Sequence, residues 1–202
     1  STRKNTAPIE PASAAVEDPR RAALLEAAFG VFARFGYRKT SMDEVARAAG
    51  ISRQGLYLHF ANKEDLFRAT VRHTLESSLA VACGELSAKG IALDERLCRA
   101  FDAWMGRYVG RFGADASDLV EGAEGVLGGL LSGRRKIFVE GVADELPDAG
   151  LAAAYKAAGV TVRQLAENLC ATAFGLKHHC ETPEEFRQSS AIAPPSTCAP
   201  LA

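Results

Sequence analysis

Leu25, Ala28, Phe29, Phe32 and Phe35 recur at steps of three, one, three and three residues, one broad apolar stripe along a helix from Pro19 to Phe35. Asp18 is placed to cap it, with Pro19 at its first position and Gly36 at its end. Ser41 followed three residues later by Glu44 is a capping-box start, and Met42, Val45, Ala46 and Ala49 then repeat at helical spacing. Gly50 stops that segment, since glycine enters a left-handed turn without a Cβ penalty. Ser52 can cap a second short helix from Arg53 to Phe60. Asn62 caps a longer one that opens at Lys63, runs to about Leu86 and carries Leu66, Phe67, Thr70, Val71 and Thr74 inward.

Every periodic segment beyond Gly90 is also helical, with no strand pattern and no internal repeat. Leu93 to Phe112 bears Leu97, Phe101, Trp104, Met105, Tyr108 and Phe112 along one side. Ser117 to Leu146 reads as one long helix, or two broken near Ser132-Gly133, with Gly122, Gly125, Gly129 and Gly133 on one face. These glycines would allow a close helix crossing or leave room for a ligand. Pro147 and Gly150 mark a break. Thr161 to Cys180 carries Val162, Leu165, Leu169, Ala173 and Leu176 on one side, with small Ala166, Ala171 and Gly175 where a second helix could approach; this segment is the candidate homodimer face. Pro183 starts a last short helix, PEEFRQSSAIA.

Two short helices joined by a glycine-containing turn describe a helix-turn-helix, in which the start of the second helix lies against base edges. Arg53 there can pair bidentately with guanine and Gln54 with adenine, while Gly55 lets the backbone come close. Arg38 and Lys39 add positive charge just before the unit. The net charge of −1 looks wrong for a DNA binder until it is divided. Residues 1–72 hold 12 lysines and arginines against 8 acidic residues, whereas residues 73–202 hold 12 against 17. The basic share thus sits with the helix-turn-helix, and phosphate would repel the rest.

The run FGYRKTSMDEVARAAGISRQGLYLHFANKEDLF resembles the DNA-binding region of the tetracycline-repressor family of bacterial transcriptional regulators. Gly50-Ile51-Ser52, then Leu56-Tyr57 with His59-Phe60, then Asn62-Lys63-Glu64 with Leu66 carry the likeness, which extends over Pro19 to Phe67. It implies that Tyr57, His59 and Lys63 contact phosphates, and that Thr40 and Ser41 lie where the second helix aims its amides at the DNA backbone. It implies an all-α chain: a flexible arm (residues 1–18), a three-helix helix-turn-helix domain (19–66), a helical bundle for dimerisation and effector binding (67–192) and an irregular tail (193–202). The partners implied are double-stranded DNA, a second copy of the chain and a small, largely apolar effector. The effector would act by shifting the helix that begins at Lys63, releasing a repressor from a palindromic operator.

For the effector, Phe101, Trp104, Met105 and Tyr108 are either a core stripe or, in part, the wall of a cavity between helices. Arg3 and Lys4 either reach a minor groove or belong to a solvated tail. No cofactor motif is present: neither G-x-G-x-x-G nor G-x-x-x-x-G-K-[ST] occurs. Nor is there a nucleophile elbow, an H-E-x-x-H or a paired-carboxylate motif, so an enzyme is not expected. His178, His179, Cys180 and Glu181 are adjacent, and neighbours on a helix diverge by about 100°, which suits a solvated helix end better than a metal site. The five cysteines are widely spaced without Cys-x-x-Cys, which favours free packed thiols over a redox pair. With no apolar run of membrane-spanning length and no secretory signal, a soluble cytoplasmic protein is expected. The competing readings are a helical protein-interaction module and a redox-responsive regulator without a small-molecule inducer.

Overall fold

The computed structural model describes residues 18–110, 129–147 and 159–198, with side chains as far as residue 191. The arm at residues 1–17, Phe112, Ser117, Gly122, Gly125 and Gly150 lie outside the described residues. Among those described there is no strand. The helices are α1 (Pro19–Lys39), α2 (Met42–Ala48), α3 (Arg53–His59), α4 (Lys63–Leu86), α5 (Leu93–Trp104), α6 (Leu130–Glu145), α7 (Val162–His179) and α8 (Pro183–Cys198). None of the described helices is long and apolar enough to cross a membrane.

Two apolar cores organise them. The first joins Leu24, Leu25, Ala28, Val31 and Phe32 of α1 to Met42, Val45 and Ala46 of α2, Leu56 and Phe60 around α3, and Leu66 and Phe67 of α4. The second joins Leu79, Ala82 and Leu86 of α4 to α5 (Leu97, Phe101, Trp104), α6 (Phe138, Val139, Val142), α7 (Leu165, Leu169, Ala173) and Phe186 of α8. Helix α4 therefore belongs to both. So does α6, whose first residues Leu130 and Leu131 pack against the first core while Phe138 sits in the second. Arg96 of α5 locks the far end, with Nη1 2.6 Å from the Leu86 carbonyl oxygen and 2.6 Å from Glu145 Oε2.

The ends of α1 follow from local chemistry. Asp18 accepts from the Arg20 amide at 3.0 Å, and Pro19 needs no amide partner. At Gly36, φ 79° and ψ 168° break the helical path before one further turn reaches Lys39. Phe35 leaves the expected stripe: it is 37% exposed, with the Arg34 guanidinium 5.0 Å from its ring centroid. Ten residues past Leu25, it has drifted about 80° around the helix.

The bundle departs from the expected pattern in four places. Helix α5 stops at Trp104 and gives way to a tight 3-10 turn, Gly106–Tyr108, instead of continuing to Phe112. A Cβ on Gly106 would stand 2.7 Å from Phe186 Cδ1 and closer still to the Asp102 carboxylate, so α8 packs where only glycine fits. Helix α6 begins at Leu130, directly after Gly129, and runs through Ser132 and Gly133 without a break. A Cβ on Gly133 would meet open space, whereas one on Gly141 would stand 3.4 Å from Leu86 Cδ1.

The α7 stripe does not form an outward dimer face. Leu165, Leu169 and Ala173 are buried in the chain's own core, whereas Ala171 and Gly175 are exposed. Finally, α8 continues through Pro194 and Pro195 to Cys198, where a tail was expected from residue 193. Each proline forfeits its own amide hydrogen bond, and the helical path survives both losses.

Candidate nucleic-acid interface

The helix-turn-helix is built by caps. Ser41 Oγ accepts from the Glu44 amide at 3.3 Å while Glu44 Oε2 accepts from the Ser41 amide at 2.8 Å. The Ser41 amide, and after it the Ser41 hydroxyl donating to the same Glu44 oxygen at 2.8 Å, hold the Glu44 carboxyl below its ordinary range. Helix α2 ends as the Gly50 and Ile51 amides fold back onto the carbonyls of Arg47 and Ala46 (3.2 and 3.0 Å), which needs the φ of 68° that Gly50 supplies. Ser52 then caps α3 through the Gly55 amide at 2.9 Å. A Cβ at residue 55 would lie 3.1 Å from Ser52 Oγ, so Gly55 also makes room for the cap, a duty its sequence position did not reveal.

Leu56 is fully buried and fixes the rotation of α3, which leaves Arg53, Gln54, Tyr57, Leu58 and His59 exposed. Arg53 is held in place before any ligand arrives: its Nη1 lies 2.8 Å from Asp43 Oδ2, and its guanidinium carbon is 5.7 Å from the Tyr57 ring centroid. The Tyr57 contact and the Asp43 charge raise its pKa. Asp43 was missed in the sequence, because nothing local links residues ten apart. Leu58, also missed, is 83% exposed. Its signal was available, since it stands two residues from the inward Leu56 and so on the far side of the helix.

The remaining candidates separate. Arg38 and Lys39 are exposed at the end of α1. Thr40 is buried, its hydroxyl donating to the Gly36 carbonyl at 2.6 Å, and the Ser41 hydroxyl is committed to its cap. Lys63 is turned inward. Its ammonium donates to the carbonyls of Tyr37 (2.9 Å), Thr40 (3.1 Å) and Arg38 (3.2 Å), so all three of its protons close the end of α1.

The four candidate ligand residues lie together in the second core, each with a packing duty. Phe101 and Met105 are fully buried. Trp104 stacks on Phe138 with centroids 5.5 Å apart, and Phe101 meets the same ring edge-on at 5.7 Å. The Tyr108 hydroxyl is bonded to Ser78 Oγ and lies 3.4 Å from the Thr74 carbonyl oxygen. Burial pushes the Cys83 and Cys98 thiols up and that of Cys170 up to about 12, the setting of inert packed thiols. At the end of α7, His179 Nδ1 lies 2.9 Å from the Gly175 carbonyl oxygen. No group of three or more potential ligands able to hold a metal ion occurs among the described residues.

Comparison with known proteins places this geometry. Residues 24–70 match the family described as bacterial regulatory proteins, tetR family. The uncharacterized HTH-type transcriptional regulator YfiR of Bacillus subtilis (strain 168) is 41% identical over 63 residues, 31% of this chain and 31% of that protein. The chain thus aligns with only about a third of the length of the relatives it matches in sequence. In three dimensions it is similar to a transcriptional regulator assigned to the same family from Mesorhizobium loti MAFF303099, with TM-score 0.67, 19% identity and coverage of 89% of this chain and 95% of that one. It is also similar to LfrR of Mycobacterium smegmatis, solved in complex with proflavine, with TM-score 0.57, 19% identity and coverage of 92% and 98%.

Proposed function

We propose that this chain, whose residues 24–70 match the tetR family of bacterial regulatory proteins, is a transcriptional regulator: a homodimeric repressor that grips a palindromic operator and is released by a small ligand. The orientation of α3 carries the reading. With Leu56 buried, the helix offers Arg53 and Gln54 to base edges and Tyr57 and His59 to flanking phosphates. Arg38 and Lys39 supply further charge from the end of α1. Lys63 serves the site indirectly, by holding the α1 terminus against α4.

Two reading heads are needed for a palindrome, set about 34–36 Å apart or a multiple of that. The exposed small residues Ala171 and Gly175 of α7 support close approach of a second copy. The effector is small and largely apolar, entering beside Trp104 and Tyr108, the two less enclosed members of the candidate wall. That LfrR binds proflavine supports a planar ligand for this body. Because α4 runs through both cores, a ligand that shifts it in the body moves the head as well. Release requires that the ligand bind one head spacing better than the other.

Selection of random duplexes by the purified protein tests the reading. A two-fold symmetric consensus is expected, bound by a species that sediments as a dimer. A protein-interaction module would enrich no sequence.

A further inference from the structure

Leu58 is out of place for a surface leucine. Single exposed apolar residues are ordinary on proteins and need no explanation. This one is 83% exposed, against 51% or less for the other exposed large apolar side chains among the described residues, and it lies on the helix read above as the recognition helix. At about 100° per residue, Leu58 projects about 160° away from the buried Leu56. Gln54, four residues earlier, lies within about 40° of the same direction. The outermost ridge of α3 is thus one amide and one isobutyl group, flanked by Arg53 and Tyr57 on one side and His59 on the other. None of the residues on that ridge is acidic.

We infer that Leu58 is a specificity residue which recognises the 5-methyl group of a thymine in the major groove. Thymine alone among the four bases presents a methyl group there, and apolar side chains are what contact it. A leucine on the ridge gains less from cytosine, whose C5 carries a hydrogen where thymine carries the methyl group. Gln54 on the same ridge suits adenine, so the two side chains together favour adenine–thymine pairs in each half-site. The inference rests on the reading of α3 as the recognition helix and adds the base that its apolar position selects.

The test removes the methyl group from the DNA. In the duplex selected by the wild-type protein, each thymidine is replaced in turn by deoxyuridine, which keeps the pairing edge and lacks only the methyl. Wild-type protein should lose affinity at one position in each half-site by about fourfold, the scale of one methyl group removed from water. Leu58→Ala should bind the parent duplex more weakly and show no further loss at that position, whereas Leu58→Met should keep the sensitivity. The exposure of Leu58 means that Leu58→Ala should retain the wild-type circular dichroism and melting curve. An unfolded Leu58→Ala would mean that the side chain supports the fold, and would overturn the inference. It is equally overturned if no deoxyuridine position weakens the wild type, or if Leu58→Ala keeps the wild-type pattern of sensitivity. Failure to select any duplex would instead remove the DNA-binding reading itself, and this inference with it.

Discussion

Lys63 Nζ lies 2.9 Å from the Tyr37 carbonyl oxygen and 4.6 Å from the centroid of the Tyr37 ring, so one lysine at the start of α4 closes the end of α1. With two further carbonyls at 3.1 and 3.2 Å, the ammonium replaces the backbone donors that a helix end lacks. Lys63→Met should therefore lower stability, by on the order of 2 kcal/mol for lost charged hydrogen bonds at a partly buried site. Urea unfolding checks this. DNA binding should weaken with the salt slope unchanged, whereas a slope smaller by about one would assign Lys63 to a phosphate instead.

Arg53 is the second test. Its pair with Asp43 is exposed and screened by solvent, so DNA can recruit the guanidinium easily. Arg53→Ala should cost about 1–3 kcal/mol of binding and relax selectivity at a single base position. A uniform loss across an operator substitution series would show that Arg53 meets a phosphate, not a base.

Trp104 reports on the body. It is the only tryptophan, and it stacks on Phe138. A compound that releases the protein from its selected duplex should change the Trp104 emission while leaving the sedimentation coefficient of the protein unchanged. Trp104→Leu should fold with lower stability, retain operator affinity and respond to that compound more weakly. An unchanged response would move the ligand site elsewhere.

Cys170 predicts an alkaline effect. Its thiol, fully buried, is pushed up from 9.0 to about 12, chiefly by desolvation. Below about pH 9 both the folded and unfolded chains hold the proton, and the stabilising contribution is complete. Above it the unfolded chain loses the proton first, so stability falls by about 1.4 kcal/mol per pH unit until the folded value is reached. Unfolding midpoints for Cys170→Ala should decline less steeply than the wild type between about pH 8 and pH 10.5. Parallel curves would mean that this thiol is accessible to water.

What could be read from the sequence was local. Ser41, Ser52 and Asn62 were legible as caps, and each accepts a hydrogen bond from the amide three residues on. The helix-turn-helix followed from these and from Gly50. What escaped depends on contacts between distant residues. Phe186 packs so closely on Gly106, eighty positions earlier, that a Cβ there would stand 2.7 Å from its ring. Periodicity found the apolar side of α7 but not its neighbour: Leu169 packs into the core of its own chain. Lys63 was legible as a charge near DNA, yet carbonyls of α1 and Thr40 take its protons.

Whether α3 reads a DNA sequence is measured by affinity against salt for matched and scrambled duplexes. The selected duplex should bind at least about 1,000-fold more tightly than its scramble. For the selected duplex, log affinity should fall linearly with log salt at about −0.9 per phosphate neutralised. Equal affinity for the two duplexes at every salt concentration would mean that α3 reads no sequence.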